Sequence, residues 1–353
     1  MKVLVCGTNY GATYLRAIAL QPQFGINELQ LVGVMSRGSE RSRNYANNFA
    51  VQHYTDIEEI SHELVDIACV ALLGDHAISL SQALMRKGIH VICEHPLSAA
   101  QLAECLTVAK QCQVHFFVNA HFADLQAPTL FVQHFRAAQQ QSQCLHVTLT
   151  VNLRTLYSGL DIIGRAFGSL DDIQIRSTTS LTQKEAQKAA SDNASENSSD
   201  SSQPPEYFSV LNLYKDNVLI TLICQNFASE QDDGSATFMN HGVKATFVAG
   251  QLNLDESNGP VTWHPSPALA MSPQWATYQV LEQAPMNIHQ LQQQRDAANL
   301  NTLRIMAHAV KTSTKAALDY SSNTLPVEQT EPYLRALTQL SDKVTEHLMA
   351  RYH

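Results

Sequence analysis

The sequence predicts an α/β protein that begins with a doubly wound, parallel sheet. Along the first third of the chain, short apolar segments alternate with segments of helical periodicity, which is the pattern of repeated βαβ units. A glycine-containing turn follows the first apolar segment, at the sheet edge where such folds bind ligands. The predicted strands are KVLVC (2–6), LQLVGVM (29–35), VDIACVALL (65–73), HVICE (90–94) and VHFFVN (114–119), and the predicted helices are 11–20, 39–49, 76–87 and 99–111.

Composition and charge indicate a globular protein with an acidic balance. The chain has 353 residues, of which 44% are apolar and 16% charged, and its formal net charge is -9. This length predicts two domains, which we place at 1–122 and 123–353. The negative charge and the absence of basic clusters argue against nucleic acid or an anionic membrane as a partner. Without an apolar run of roughly 20 residues or a signal-peptide pattern after Met1, we expect a cytosolic protein.

The cysteines and histidines favour neither a disulfide framework nor a metal site. The seven cysteines are odd in number, lack CxxC spacing and lie mostly in apolar runs. The fifteen histidines are scattered, without an HxH or HxxxH pair. We therefore predict that the protein binds no metal.

The turn GTNYGA, residues 7–12, is a degenerate dinucleotide-binding fingerprint. Gly7 takes the first glycine position, Asn9 the second and Ala12 the third, where alanine is an accepted variant. Asparagine adopts the left-handed conformation more readily than most residues, so it can replace glycine at the second position. We therefore still predict a dinucleotide-binding site at this turn. The alternative is a tight strand-to-helix turn without a ligand. The predicted dinucleotide-binding residues are Gly7, Thr8, Asn9, Tyr10, Gly11 and Ala12.

The end of the second predicted strand favours NADP over NAD. Dinucleotide folds often carry a carboxylate at this point, which binds the 2′-hydroxyl of the adenosine ribose. Here the strand ends in MSRGS, residues 35–39, which contains no carboxylate. We predict that Ser36, Arg37 and Ser39 receive a 2′-phosphate, for which a planar guanidinium is suited. Alternatively, these residues only begin a solvated helix, since their distance from Gly7 exceeds the usual spacing of about 20 residues.

The stretch GIHVICEHPLSAAQLAE, residues 88–104, places a histidine between a strand and a helix. Gly88 stands where a helix end requires a left-handed residue. Ser98 and Gln101 have the spacing of a capping box. His95 therefore follows a parallel strand, at the sheet edge where ligands bind. The alternative is a structural histidine that orients the turn at Pro96.

Residues 74–104, GDHAISLSQALMRKGIHVICEHPLSAAQLAE, resemble the most recognisable block of the glucose-fructose oxidoreductase and inositol dehydrogenase family. In that family a helix with an early histidine leads through a strand into Glu-Lys-Pro, and His95 here replaces the lysine. The resemblance implies an N-terminal Rossmann domain, a C-terminal α/β domain with a large, mainly antiparallel sheet, and a homodimer. It also implies cofactor contacts from Leu73, Gly74, His76 and Glu94.

The Glu-His-Pro signature is similar to that of the thiazolinyl imine reductases of siderophore assembly lines, as are the opening VLVCGTNYGATYLRA and the chain length. This resemblance implies NADPH-dependent reduction of a thiazoline ring to a thiazolidine. The substrate would be attached to a carrier domain of a nonribosomal peptide synthetase. Imine reduction delivers hydride to carbon and requires a proton at nitrogen, for which histidine has a suitable pKa. We predict that His95 donates this proton.

The resemblance further implies a second proton donor, a tyrosine soon after the sixth strand of the family fold. The matching stretch VNAHFADL, residues 118–125, has no tyrosine, and Phe122 lies near the expected place. His121 is adjacent, so two predictions stay open: His121 assists His95 together with water, or His95 acts alone. The structural alternative for His121 is a strand-end histidine bound by backbone groups.

The segment YSGLDIIGRAFGSL, residues 157–170, argues against a sugar or polyol dehydrogenase. In the resembling dehydrogenases, a histidine about three residues before an aspartate handles the alcohol proton. Asp161 matches that aspartate by its spacing to Gly168, and the histidine position then falls on Ser158. We interpret Asp161 either as a catalytic group or as a helix-start residue near the domain junction.

The C-terminal half shows the patterns of an antiparallel sheet. Residues 143–152 alternate as a half-buried strand, residues 210–225 form a hairpin around Lys215-Asp216-Asn217, and residues 238–254 contain two short strands. Helical periodicity is found at 300–318 and 332–351.

Two further segments of this half carry weaker signals. The polar segment 186–206 is predicted to be a mobile insertion, because it cannot bury enough apolar surface to offset the entropy of ordering. Trp263-His264-Pro265 is interpreted either as an aromatic wall of the substrate site or as a turn anchored by a buried Trp.

Three functions stay open from the sequence. The first is an NADPH-dependent imine reductase that acts on a small thiazoline bound to a carrier domain. The second is an NADP-dependent sugar or polyol dehydrogenase, which the absent lysine and histidine disfavour. The third is a non-catalytic, NADP-binding regulatory protein.

Overall fold

The computed structural model describes residues 1–25, 27–182, 206–225, 241–266, 276–283, 287–312 and 325–349. The chain divides into two compact units: Met1–Leu125 with Pro285–Gln339, and Gln126–Ala284 with Leu340–His353. The boundary suggested by the sequence, after residue 122, lies close to the end of the first segment. However, Pro285–Gln339 belongs with the first unit, so the two units are not separated by one division of the chain.

The first unit contains a six-stranded sheet. Its strands are β1 (Lys2–Cys6), β2 (Gln30–Met35), β3 (Gln52–Tyr54), β4 (Ile67–Val70), β5 (His90–Glu94) and β6 (Phe116–Asn119). They pair in parallel in the order β3-β2-β1-β4-β5-β6. This confirms the predicted doubly wound parallel sheet. Every residue of β4 and β6 is buried, as expected for central strands that are covered on both faces.

Four helices connect these strands: α1 (Ala12–Ala19), α2 (Glu40–Asn48), α3 (Gly74–Arg86) and α4 (Ala99–Cys112). The predicted capping box of α4 is present, because the Ser98 hydroxyl accepts from Gln101 N and the Gln101 side chain accepts from Ser98 N. After α3, Gly88 has a φ of 82°, which is the left-handed conformation expected there. Both helix ends are therefore determined by local sequence.

The second unit contains an eight-stranded sheet. Its strands are β7 (Cys144–Asn152), β8 (Gln174–Thr182), β9 (Glu206–Lys215), β10 (Val218–Gln225), β11 (His241–Phe247), β12 (Gly250–Leu254), β13 (Val261–Pro265) and β14 (Gln279–Glu282). Their order is β14-β13-β12-β11-β7-β10-β9-β8, and all pairs are antiparallel except β7 with β10. This confirms the mainly antiparallel C-terminal sheet. In the β9–β10 hairpin, Asp216 and Asn217 both have positive φ, the conformation of a type I′ turn.

The helices of the second unit are α5 (Gln126–Gln141) and α6 (Leu156–Phe167). Asp161 lies inside α6 and is buried, where its carboxylate pairs with Arg165 at 2.9 Å. The interpretation of Asp161 as a helix-start residue is therefore wrong. Trp263 is fully buried within β13 and packs near Phe247, so it is a core residue of a strand and not part of a turn.

Two helices follow the second sheet in the chain, α7 (Ile288–Thr312) and α8 (Glu331–Met349). The part of α7 that packs against α1 buries Asn299, Leu303 and Met306, which share one face by their helical spacing. Arg16 of α1 and Asp296 of α7 form an ion pair at 3.1 Å. These contacts attach α7 to the parallel sheet of the first unit.

Some features predicted from sequence fall outside the described chain. Residues 183–205 are outside it, so the mobile insertion near 186–206 stays a prediction, as do the helical positions 313–318 and 350–351. All seven cysteines lie in the described part outside any disulfide, and six of them are buried. No helix among the described residues is long and apolar enough to span a membrane.

Candidate active site

The loop between β1 and α1 requires glycine at two positions. Gly7 has a φ of 87°, and a Cβ there would lie 2.7 Å from the Ala71 carbonyl oxygen. A Cβ at Gly11, the N-cap of α1, would lie 2.0 Å from the Gly7 carbonyl oxygen. The Gly7 N–H donates to the Met35 carbonyl at 2.9 Å, which ties the loop to the end of β2. The loop is thus a compact turn that holds its backbone against the neighbouring strands.

A cavity of about 490 Å³ opens at the carboxyl ends of β1, β2 and β4. Seven of the predicted cofactor residues line it, and the others do not. The lining residues are Cys6, Gly7, Thr8, Met35, Ser36, Arg37, Ser39, Ser42, Thr55, Leu72, Leu73, His76 and Leu80. None of these thirteen residues is acidic, and Arg37 and His76 are exposed.

Hydroxyl groups along one wall of the cavity form a hydrogen-bonded row. Ser42, which was not predicted from sequence, lies 3.0 Å from Thr8 Oγ1 and 2.7 Å from Ser39 Oγ. Ser39 also caps α2. Separately, Ser36 Oγ contacts His53 Nε2 at 3.0 Å and accepts from Gly38 N at 3.1 Å. These bonds fix the loop that presents Arg37.

Asn9, at the second glycine position of the fingerprint, is exposed and does not line the cavity. Its side-chain oxygen accepts a hydrogen bond from Arg41 Nη1 at 3.2 Å. Arg41 belongs to α2, so this bond joins the glycine loop to the helix that follows β2. No local pattern in the sequence pairs these two residues, which are 32 positions apart.

His95 directly follows β5 and is half-buried. Its backbone N–H donates to the Asn119 carbonyl at 3.3 Å, and its peptide bond to Pro96 is cis. Position 95 therefore lies at the carboxyl edge of the parallel sheet, beside the end of β6, as the sequence predicts. Its role in catalysis stays a prediction.

Glu94, by contrast, directs its carboxylate into the protein. The carboxylate oxygen Oε1 accepts from the Tyr14 hydroxyl and, at 2.7 Å, from Asn119 Nδ2. The same amide nitrogen lies 2.7 Å from Asn299 Oδ1 of α7. Burial raises the pKa of Glu94 to about 7, while the hydrogen bonds from Tyr14 and Asn119 lower it. Glu94 does not line the cavity, and the cofactor contact expected of this residue stays a prediction.

His121 begins the turn after β6 and is 1% exposed. Its Nδ1 lies 2.7 Å from the Tyr10 hydroxyl, and its Nε2 lies 3.2 Å from the same oxygen. Phe122 stacks beside His121 with ring centroids 4.1 Å apart, and the Arg295 guanidinium lies 5.5 Å from the Phe122 ring centre. Tyr10 thus belongs to a polar cluster of the first unit that sequence motifs did not reveal.

Two family models match separate parts of the chain. Residues 1–120 match the model described as an oxidoreductase family with an NAD-binding Rossmann fold. Residues 140–264 match the model described as the C-terminal part of Irp3-like thiazolinyl imine reductases.

Known relatives are distant in sequence and similar in fold. The uncharacterized oxidoreductase YgjR of Escherichia coli (strain K12) is 30% identical over 92 residues, which cover 25% of this chain and 28% of YgjR. A variant of KijD10, a 3-ketoreductase from Actinomadura kijaniata solved with TDP-benzene and NADP, has a TM-score of 0.63 at 15% identity, covering 97% of this chain and 96% of its own. Biliverdin reductase from Synechocystis, solved with biliverdin and NADP+, has a TM-score of 0.63 at 12% identity, covering 97% and 98%. An oxidoreductase from Agrobacterium radiobacter, solved with NAD+, L-tartaric acid and magnesium, has a TM-score of 0.65 at 10% identity, covering 96% and 94%.

The glycine loop and the cavity lie in the part of the chain that matches the oxidoreductase model with an NAD-binding Rossmann fold, and the fold is shared with these solved proteins. The solved proteins of this fold include complexes with NAD and with NADP, so the likeness leaves the choice between them open. Residues 1–120 match the GFO/IDH/MocA oxidoreductase family model, and residues 121–353 lie outside that match.

Proposed function

We propose that the protein is an NADPH-dependent thiazolinyl imine reductase. The observation that carries the proposal is the match of residues 140–264 to the C-terminal part of Irp3-like thiazolinyl imine reductases. The Glu-His-Pro sequence at the end of β5 supports it, because histidine is a suitable acid for an imine nitrogen. Ser158 at the position of the alcohol-handling histidine disfavours a sugar or polyol dehydrogenase.

The residues at the carboxyl edge of the parallel sheet are suited to binding a dinucleotide. Gly7 and Gly11 have no space for a side chain, which lets the loop backbone approach a pyrophosphate. Arg37 and the absence of acidic residues among those lining the cavity favour a 2′-phosphate, and hence NADPH. When bound, NADPH supplies the hydride that adds to the imine carbon.

The residues of the chain provide the proton and the orientation of the substrate. His95 donates the proton to the ring nitrogen, because it lies at the carboxyl edge of the sheet beyond β5. His121, which follows β6, assists at the same edge. Reduction then converts the thiazoline C=N bond into a C–N bond with one new hydrogen on each atom.

The substrate is proposed to arrive on a carrier domain of a nonribosomal peptide synthetase in siderophore biosynthesis, and the protein is proposed to be a cytosolic homodimer. Along β7, Val147, Leu149 and Val151 are buried, while the alternating Thr148 and Thr150 are half-exposed. A broad sheet with one partly exposed face is a suitable surface for a second copy of the chain.

The experiment that tests the function follows NADPH oxidation by absorbance with a synthetic hydroxyphenyl-bis-thiazoline thioester. NADH and a panel of sugars with NADP+ serve as controls. We expect thiazoline-dependent oxidation of NADPH. Reduction of NADP+ by a sugar, with no reaction on the thiazoline, would contradict the proposal and favour a polyol dehydrogenase.

A further inference from the structure

We propose that His53 contributes to the discrimination between NADPH and NADH through Ser36: with a 2′-phosphate bound, His53 donates to Ser36 Oγ and the Ser36 hydroxyl donates to the phosphate. This inference rests on the proposed function, in which NADPH is the cofactor and the end of β2 receives its 2′-phosphate. His53 lies on β3 and belongs to none of the sequence motifs. It is a positioning residue, because it acts on the cofactor only through Ser36.

The pairing of β2 with β3 brings the two side chains together. His53 is the register partner of Val34, and the Ser36 N–H extends the pairing by donating to the Tyr54 carbonyl at 3.1 Å. Because side chains alternate along a strand, residues 34 and 36 point to the same face of the sheet, which is also the face of His53. Ser36 Oγ accordingly lies 3.0 Å from His53 Nε2. Both side chains are half-buried, and Ser36 lines the cavity.

The hydrogen-bonding capacity of the Ser36 hydroxyl is limited. A serine hydroxyl has one proton to donate and two lone pairs that accept. The Gly38 N–H donates to Ser36 Oγ at 3.1 Å and so occupies one lone pair. One proton and one lone pair are left, and His53 Nε2 takes one of the two. The contact alone leaves both directions open, because Nε2 accepts in one neutral tautomer and donates in the other.

A bound phosphate selects one of these directions. The 2′-phosphate of NADPH presents acceptor oxygens, so Ser36 can hydrogen-bond to it only by donating its single proton. The remaining lone pair of Ser36 then faces His53, which donates from Nε2. The 2′-hydroxyl of NADH both donates and accepts, so it can pair with Ser36 in either arrangement. A side chain at position 53 that can only accept would therefore weaken NADPH binding and leave NADH binding nearly unchanged.

Ser36 differs in this respect from the other hydroxyls of the cavity wall. The hydroxyls of Thr8 and Ser39 lie 3.0 Å and 2.7 Å from Ser42 Oγ, and a hydroxyl partner can donate or accept by rotating. The partner of Ser36 is an imidazole nitrogen, which changes its role only when the ring gains or moves a proton. The donor role of Ser36 is thus the one that depends on a residue behind the cavity wall.

The binding test compares two isosteric variants of His53. Glutamine and glutamate both place a polar group near the position of Nε2, but the amide can donate, whereas the carboxylate only accepts. We expect His53→Gln to keep the wild-type ratio of NADPH to NADH affinity. His53→Glu should lower NADPH affinity roughly tenfold, the order of one charge-assisted contact, and change NADH affinity by less than about twofold.

The matched control is His62→Glu, at an exposed histidine, which should leave both affinities unchanged. Equal NADPH affinities in His53→Gln and His53→Glu would overturn the inference. Equal affinities of the wild-type protein for NADPH and NADH would also overturn it, since there would then be no discrimination to explain.

A Ser36→Ala background separates the hydrogen bond from the charge that His53→Glu introduces. In this background the hydroxyl is absent, so the loss of NADPH affinity caused by His53→Glu should shrink to the effect of a screened charge. An undiminished loss would show that position 53 acts by charge alone and would contradict action through Ser36.

A second measurement needs only the wild-type protein, so it holds even if a variant fails to fold. In the ¹⁵N-labelled full chain saturated with NADP+, NMR should show a proton on Nε2 of His53, its ring signals being assigned through the backbone. A ring with its only proton on Nδ1 would overturn the inference. Neither measurement uses a thiazoline. If the affinities behave as expected and the wild-type protein does not reduce thiazolines, the proposed reaction fails while the role of His53 stands.

Discussion

Glu94 and Asn119 are register partners on the neighbouring strands β5 and β6, and Asn119 Nδ2 donates to the Glu94 carboxylate at 2.7 Å. Tyr14 of α1 donates to the same oxygen. A carboxyl group is therefore held inside the protein, directly before His95, by groups from two other elements. The parallel sheet thus ends in an inward-facing acid and an edge histidine on adjacent residues.

The Glu94 carboxyl should make stability depend on pH. Its pKa is raised from 4.5 to about 7 by burial, against the hydrogen bonds from Tyr14 and Asn119. Between pH 4.5 and pH 7, Glu94 is therefore protonated in the folded protein and ionised in the unfolded chain. The free energy of unfolding consequently falls as pH rises from about 4.5 through about 7. Glu94→Gln removes this dependence. We expect the variant to gain up to ~3 kcal/mol relative to wild type between pH 5 and pH 8 in urea unfolding.

A surface carboxylate provides the control for this measurement. Glu58 pairs with Lys87 and is 76% exposed in its side chain, so Glu58→Gln should follow the wild-type pH dependence. If Glu94→Gln and wild type have parallel stability curves over this range, Glu94 is already ionised near its ordinary pKa in the folded protein.

Much of the fold was predictable because its signals are local. The apolar runs of β1, β4 and β6 are buried, and the capping box of α4 and the turn at Asp216-Asn217 have the predicted conformations. β3, by contrast, was not predicted. Its sequence QHY is short, lies at the sheet edge and has no apolar run, so pairing with β2 is its main determinant.

The candidate site also contains parts that could be predicted from the sequence and parts that could not. The glycine loop and the segment around Arg37 could be predicted because each is a contiguous motif. Gly7 and Thr8 of the loop and Ser36, Arg37 and Ser39 of the segment line the cavity. The partners Tyr10 and His121 are 111 residues apart, and Tyr14 and Glu94 are 80 residues apart. No periodicity or spacing connects such pairs, because the contact arises only when the strands assemble. Single-sequence patterns therefore located the sheet edge but not its hydrogen-bond network.

His90, at the other end of β5, should weaken the fold in acid. Its Nδ1 accepts from His115 N at 2.9 Å. Burial and then the nearby His115 lower the pKa of His90 to about 4, while Asp66 acts in the opposite direction. In the unfolded chain His90 is protonated below about pH 6.5, whereas in the folded protein it is protonated only below about pH 4. The free energy of unfolding therefore falls as pH falls through this range. We expect the contribution of His90 to fall by ~2 kcal/mol, allowing for partial exposure, while Glu94 acts in the opposite direction over the same pH range.

Thermal or urea unfolding at pH 7 and pH 4.5 checks this expectation. His90→Asn, which keeps an acceptor for the His115 N–H, should be more stable relative to wild type at pH 4.5 than at pH 7. His62→Asn, at an exposed histidine, should not. An equal change in stability between the two pH values in all three proteins would contradict a contribution from His90.

Arg37 should determine the preference for NADPH. Its side chain is exposed at a cavity that has no acidic lining residue, as a 2′-phosphate site requires. We expect Arg37→Ala to weaken NADPH binding about tenfold, the order of one charge-assisted contact, with little effect on NADH. Arg43→Ala is the matched control, because Arg43 is also exposed but does not line the cavity. Fluorescence titration measures the affinity of each variant for NADPH and for NADH. An equal loss of NADH and NADPH affinity in Arg37→Ala would contradict recognition of the 2′-phosphate by Arg37.

His95 provides the most direct prediction about catalysis. If its imidazole donates the proton to the imine nitrogen, His95→Ala should lower kcat for thiazoline reduction by roughly 100-fold or more, the usual contribution of general acid catalysis. NADPH affinity should change little, because His95 does not line the cavity beside the glycine loop. His62→Ala, at an exposed histidine, should keep wild-type turnover. Stopped-flow measurement of NADPH oxidation separates the reduction step from cofactor binding. Wild-type turnover in His95→Ala would remove this residue from the mechanism and leave its position between Glu94 and Pro96 as a structural feature of the turn.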